Sequence, residues 1–462
     1  MKRTEPNMVE VFTVSKDGKG NATWHINKET IEEIFIEQQT KNRKLMGDEQ
    51  HIRKFLAENP NEVDEVNFLN ESKHYSDYES SIKRYCLLRI LERDFNIEES
   101  CWIDSYGAKS SARWTTYEIY RDSKTSIPKM VYFFATKNDD NSKWVFRLET
   151  WEDLEAQLTI YTAESQDSVN EIWDALTDFF KKNCPLKGEF FSPTWKYIQS
   201  ENRTWNDLAL SDIVKEKIML HIVDFFTNIE KYGEYGLSTS RGVILAGMPG
   251  TGKTLTLDII ANEFSEYTRI YATAENLMSR YAIRDMFKLA RTLSPSIVFI
   301  EDIDTIGSSD DEDSYRTPLI GEILTALNSV ENNDKVLTIA TTNYPESLDI
   351  ALRDRPGRFD ARIDYELPDK KMRLKILQKM LKPFQTNITK KELDTIVSST
   401  DNYTGAWISE LVQIAFALAL RKNNQTPDIN LECLQEALKK VKESRSTLRT
   451  YATNNENAVD LY

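Results

Sequence analysis

"GVILAGMPGTGKTLTLDIIANEF", residues 242 to 264, decides how this chain is read. Its first part is an apolar run with the character of a buried strand, and its last part reads as a helix. Between them stands "GMPGTGKT", residues 247 to 254, where Gly247, Gly250 and Gly252 supply three of the chain's 15 glycines. Lacking Cβ, these glycines let backbone N–H groups curl round a phosphate at the positive end of the following helix. Strand, glycine-rich loop and helix together are the context a phosphate-binding loop requires. Lys253 then reaches the β- and γ-phosphates and the Thr254 hydroxyl ligates Mg²⁺, with Met248, Pro249, Thr251 and Leu255 completing the loop.

A phosphate loop of this kind needs an acid at the end of a neighbouring strand to hold the metal, and a second group to orient the attacking water. "SIVFIEDIDTIG", residues 296 to 307, offers both, because the apolar run Ile297 to Ile300 leads straight into Glu301 and Asp302. By position Glu301 takes the metal role and Asp302 the water role. Nucleotide hydrolases more often place aspartate first and glutamate second, so the reversed order raises the question of whether this pair still works. A third strand ends in "IATTN", where Asn343 is a neutral polar sensor for the water or the γ-phosphate. In "LDIALRDRPGRFD", residues 348 to 360, Arg353, Arg355 and Arg358 stand beside Pro356 and Gly357. A stiff loop can project such guanidinium groups, and solvated surface arginines have the same spacing; both readings stay open.

The 462 residues suggest two to four domains, and 40% hydrophobic residues suffice for full cores. A net charge of −15 disfavours nonspecific binding to nucleic acid or anionic lipid. Cys86, Cys101, Cys184 and Cys433 show no C-x-x-C spacing and read as reduced thiols, and His25, His51, His74 and His221 are too dispersed for a zinc site. The N-terminus lacks an apolar leader and no run of 18 apolar residues occurs, so the expectation is a cytoplasmic protein without a membrane span.

Seven of the nine tryptophans lie between Trp24 and Trp195, which sets residues 1 to about 195 apart in texture, and within them 1–185 read as a separate α+β domain. Helical spacing runs through "INKETIEEIFIEQQTKNRKLM" and "YESSIKRYCLLRILERDF". "ARWTTYEIYRD", "KMVYFFAT" and "KWVFRLET", separated by "SKTSIP" and "KNDDNS", read as an antiparallel meander. "DSVNEIWDALTDFFKKN" follows as a helix with Ile172, Leu176, Phe179 and Phe180 on one face. Residues 186–204 read as a linker, 205–367 as strands alternating with helices round a parallel sheet, 368–446 as helical and 447–462 as a polar tail.

The stretch from Trp205 to Lys442 resembles the AAA clade of AAA+ ATPases. It does so through "SRGVILAGMPGTGKT", "LARTLSPSIVFIEDID", "IATTNYPESLDIALRDRPGRFD" and "YTGAWISELVQIAFALAL", in family order and spacing. The resemblance implies an α/β AAA+ module, a parallel sheet with helices on both faces plus a helical lid. It also implies a homo-oligomeric ring, commonly a hexamer, that hydrolyses ATP with Mg²⁺ between neighbouring subunits. By position Lys253 and Thr254 belong to Walker A, Glu301 and Asp302 to Walker B, and Asn343 is sensor 1. Arg355 and Arg358 resemble fingers reaching the adjacent subunit, although one extra residue in their loop leaves Arg353 or Arg355 as the first. Gly405 and Ala406 match the clade's Gly-Ala pair, and Asp207, Leu208 and Ala209 match the segment that lines adenine.

The Glu-Asp order is shared with a branch that includes the AAA protein assembling mitochondrial respiratory complex III. "ENLMSRYAIRDMF" is shorter than the usual pore-loop segment, so Tyr281 reads either as a substrate-gripping aromatic or as a core residue. The acidic run Asp310 to Asp313 reads as a second pore loop favouring polypeptide, or as a solvated loop. The expected function is remodelling, unfolding or disassembly of protein clients; the alternative is a slow ATP-dependent switch or assembly scaffold.

Overall fold

The computed structural model describes residues 12–16, 22–26, 47–59, 61, 63, 66–75, 77–151, 155–277, 279–307, 317–327, 333–344, 359–384, 386–422 and 428–454. These divide into two compact units, one drawn from 1–77, 83–117 and 125–177 and the other from 78–82, 118–124 and 178–462.

The first unit is built on an antiparallel sheet. The three stretches of the expected meander are the strands Arg113–Tyr120, Ser123–Lys137 and Lys143–Trp151. Glu155–Thr162 is a further strand that the sequence reading did not expect, with Phe133 opposite Phe146 and Phe146 opposite Ile160. Successive side chains of a strand point to opposite faces. Tyr132 and Phe134 accordingly share one face with Ile52 and Leu56 of helix Gly47–Leu56, while Phe133 is buried on the other. The turn falls earlier than "SKTSIP" suggested: Asp122 adopts φ 59°, a left-handed conformation that aspartate tolerates, and Ser123 to Pro128 already belong to the strand. Helices Asp77–Asp94 and Gln166–Asn183 lie where helical spacing placed them, with Ile172, Leu176 and Phe180 buried and Phe179 half-buried. Most of "INKETIEEIFIEQQTKNRKLM" lies outside the described residues.

The second unit holds a six-stranded parallel sheet. Its strands are β1 (Phe190–Phe191), β2 (Arg241–Gly247), β3 (Thr268–Ala272), β4 (Ser296–Ile300), β5 (Val336–Thr342) and β6 (Ala361–Tyr365), in the order β1-β3-β4-β5-β2-β6. Val243, Leu245, Ile297, Phe299, Leu337 and Ile339 share one core with Ile218, Leu257 and Ile260. The alternating residues Ile244, Val298, Ile300 and Ala340 are buried too, so both faces of the sheet are covered, as continuous apolar runs require. Part of the stretch read as a linker is not a linker in this respect. Phe190 pairs with Arg269 and Phe191 with Ile270, which makes residues 190–191 the edge strand β1, and Phe190 is buried in the module's core.

Helix α1 (Asp212–Ile218) precedes β2, α2 (Lys253–Glu263) follows the phosphate loop, and α3 (Arg280–Thr292) precedes β4. After β6 the chain is helical: α4 (Lys370–Leu381), α5 (Lys390–Ser398), α6 (Gly405–Lys422) and α7 (Leu431–Asn454). Asp369 caps α4 by accepting from Met372 N at 2.7 Å, and Thr389 with Glu392 forms a capping box on α5. Leu377, Ile396, Leu411, Leu434 and Val441 give these helices a core of their own. Helix α7 runs on to Asn454, into the stretch that composition alone marked as a polar tail.

Candidate functional site

Strands β2, β4 and β5 are neighbours in the order β4-β5-β2, so their C-terminal ends lie side by side. In a parallel α/β sheet that edge is where ligands bind. Here it gathers the phosphate loop, the Glu301–Asp302 pair and Asn343.

The loop conformation depends on glycine at three points, and at Gly247, with φ 152°, a Cβ would lie 2.5 Å from Tyr365 O. Gly250 has φ 78° and a Cβ there would lie 2.6 Å from Ala406 Cβ and 2.8 Å from Thr404 Oγ1. Gly252 has φ 104°, and a Cβ on it would meet Leu208 Cδ1 at 2.6 Å. Glycine is therefore what lets the start of α6 and the segment before α1 close on the loop. The Ala406 N–H donates to Gly250 O at 3.3 Å, tying the helical region to the loop backbone.

Lys253 opens α2 and is buried. Its ammonium donates to Gly247 O at 2.6 Å, Met248 O at 3.0 Å and Asn343 Oδ1 at 2.8 Å. Burial pulls its pKa down to about 8, against the smaller upward pull of Asp302, Asp304 and Glu301. Asn343 Nδ2 donates to Asp302 Oδ1 at 3.0 Å, and Asn343 N is held by Asp304 Oδ1 at 3.2 Å. Burial pushes the Asp302 carboxyl upward, helped by Asp304 and Glu301, while Lys253 and the Asn343 bond oppose the shift. Asp302 has φ 50°, and its N–H donates to Thr341 Oγ1 at 2.9 Å.

Glu301 is turned the other way. Its Oε1 accepts from Thr254 Oγ1 at 2.5 Å and its Oε2 accepts from the Tyr271 hydroxyl. Thr254 and Glu301 thus bring hard oxygen donors together beside the loop, which suits Mg²⁺ better than a soft transition metal. Three side chains in this network were missed by motif reading: Tyr271, Asp304 and Thr341. Only their place at or next to strand ends could have pointed to them.

A cavity of about 530 Å³ lies over the loop. Its lining takes in Asp207 and Ala209, loop residues Pro249 to Leu255, Asp302, Asn343, Gly405 and Ala406. Gly247 and Met248 act through their carbonyls, which accept from Lys253. Leu208 lines an adjoining cavity of about 240 Å³ with Asp207 and Ala209. Lys379 of α4 reaches Asp207 at 2.7 Å, and this contact, with Thr204, holds the Asp207 carboxyl down at about 2. Tyr365, Met372, Ile376 and Met380 supply apolar lining that the sequence did not point to. Arg353, Arg355, Arg358 and Asp310 to Asp313 lie outside the described residues. Tyr281 is 75% exposed, so its reading as a core residue does not hold.

Residues 243–367 match the family described as ATPase family associated with various cellular activities (AAA). The chain is 37% identical over 243 residues to the ATP-dependent zinc metalloprotease FTSH 7, chloroplastic, of Arabidopsis thaliana, covering 48% of this chain and 29% of that protein. It is 34% identical over 250 residues to the ATP-dependent zinc metalloprotease FtsH 2 of a Thermoanaerobacter strain, covering 52% of this chain and 48% of that one. Protein SAV of Sulfolobus acidocaldarius is 33% identical over 240 residues, covering 50% and 30%. The chain thus spans less than half the length of each of these relatives. Among the described residues no group of three or more His, Cys, Asp or Glu side chains is placed to hold a metal ion.

Proposed function

We propose that this chain, whose residues 243–367 match the AAA ATPase family, hydrolyses ATP with Mg²⁺ in a homo-oligomeric ring, hexameric as in that family, to remodel, unfold or disassemble protein clients. The observation that carries the reading is the convergence of three strand ends on one ammonium. Lys253 is bonded to Asn343, Asn343 to Asp302, and the adjacent Thr254 to Glu301.

In this reading the loop N–H groups and Lys253 bind the phosphates. Thr254 and Glu301 would hold Mg²⁺, which when bound would neutralise phosphate charge. Asp302 has one oxygen fixed by Asn343, and its other accepts a proton from the attacking water. Burial favours the protonated form that results. Asp207, Leu208 and Ala209 line the base, and Arg355 and Arg358 reach the γ-phosphate of the next subunit. The reversed carboxylate order supports a place in the Glu-Asp branch of the clade.

Protein rather than nucleic acid as client is supported by the net charge of −15, by the exposed Tyr281 at the start of α3, and by relatives whose names describe proteolysis. That exposure favours a gripping ring over the switch. No described helix is long and apolar enough to cross a membrane. Cytoplasmic residence belongs to the same proposal, supported by the scattered spacing of Cys86, Cys101, Cys184 and Cys433, which form no C-x-x-C pair in the sequence.

Subunit complementation tests it. Arg355→Ala and Arg358→Ala should each bind ATP and lose about 10³- to 10⁵-fold in turnover. Lys253→Ala should lose binding. Mixing a finger variant with Lys253→Ala should restore part of the activity, because some interfaces then join an intact loop to an intact finger. Inert mixtures, or full turnover in a verified monomer, would overturn the ring.

A further inference from the structure

Both oxygens of Glu301 are held, and one holder comes from outside the motifs. Oε1 accepts from Thr254 at 2.5 Å and Oε2 from the hydroxyl of Tyr271 on β3. The parallel register sets Tyr271 beside Phe299 and Ala272 beside Ile300, so the next residue along β4 is Glu301 itself. Its N–H donates to Ala272 O at 2.9 Å, which fixes the backbone at the same point.

The Tyr271 ring is seated by packing. Phe190 meets it edge-on, with centroids 6.0 Å apart and planes at 86°, and Phe299 lies 6.2 Å away. Phe190 is buried on the edge strand β1 and also packs edge-on against Phe299 at 6.2 Å. A glutamate that must capture a cation loses rotamer freedom in doing so; one already fixed at both oxygens has lost it beforehand.

Resting on the assignment of Glu301 to the metal, we propose that Tyr271 is a positioning residue of the metal site: its hydroxyl aims Glu301 at Thr254, so that a hydrated divalent cation meets a preorganised carboxylate, and Phe190 keeps Tyr271 in place. This adds to the motif residues a layer of support of the kind that orients metal ligands in general. It also gives the Glu-first order a structural partner, since the longer side chain spans from β4 to both hydroxyls.

The test is calorimetric titration of ADP into the full chain, once in excess Mg²⁺ and once in EDTA. The ratio of the two Kd values measures the coupling between cation and nucleotide. Tyr271→Phe keeps the ring and removes the hydroxyl. It is expected to leave the Kd in EDTA within about twofold and to shrink the ratio about tenfold, the lower end for loss of a ligand-orienting partner. Phe190→Leu, which loosens the ring and keeps every polar group, should shrink the ratio by a smaller factor. Glu301→Gln supplies the reference. If it leaves the ratio at the wild-type value, the metal assignment fails and this inference with it. If it collapses the ratio while Tyr271→Phe and Phe190→Leu do not, Tyr271 only fills the core and the inference alone is overturned.

Discussion

Lys253 Nζ and Asn343 Oδ1 are 2.8 Å apart, so the ammonium of the phosphate loop is joined directly to the strand-end amide that also holds Asp302. A γ-phosphate arriving at Lys253 therefore competes with Asn343, and any rearrangement there reaches the carboxylate next to it.

The same ammonium makes nucleotide affinity depend on alkaline pH. Burial holds Lys253 at about 8, below the usual 10.5, whereas a bound phosphate favours its charged form. Binding then takes up a proton above about pH 8 and none below it. Affinity measured in EDTA should be flat from pH 7 to 8 and fall about tenfold per unit beyond, until the bound-state pKa is reached. Lys253→Arg, charged throughout that range, should remove the slope. A wild-type profile that stays flat to pH 9.5 would show the buried ammonium to be unperturbed.

Restoring the commoner order of acids should damage the enzyme. Asp302 sits at φ 50°, where aspartate is tolerated far better than glutamate, and Glu301 needs its full length to reach Thr254 and Tyr271. The double variant Glu301→Asp, Asp302→Glu misplaces both carboxylates by about a methylene, and displacement by about 1 Å can lower turnover on the order of 100-fold. Asp302→Asn should bind ATP and stall. Steady-state ATPase assays decide, and a swapped enzyme as fast as wild type would show that side-chain length at these positions is immaterial.

Tyr281 should carry load without carrying stability. At 75% exposure it buries little apolar area, so Tyr281→Ala should move unfolding free energy by no more than about 0.5 kcal/mol. ATPase should stay within a few-fold while client remodelling is lost. Unaltered remodelling would remove Tyr281 as the grip and return the switch to favour.

What could be read from the sequence was what is encoded locally. The phosphate loop announces itself because backbone curvature and charge must be supplied within a few consecutive residues. The buried strands do so because a parallel sheet covered on both faces tolerates no polar alternation. Tyr271 gave no such sign: it lies 30 residues from Glu301 and meets it only through the register of β3 against β4. Asp302's left-handed backbone is equally silent, since aspartate is common in ordinary conformations too. Strand β1 has two residues, too few for any period to show, and its neighbours Ser192 and Pro193 look like loop.

That two-residue strand decides where the module can be cut. Motif reading would begin it at Trp205, after β1 has passed. A fragment starting there would leave the backbone groups of β3 unpaired along one side and bare the flank of Tyr271 and Phe299 that Phe190 covers. Open apolar edges recruit other chains. The solubility of the isolated ATPase thus depends on a Phe-Phe dipeptide lying upstream of every motif that identifies it.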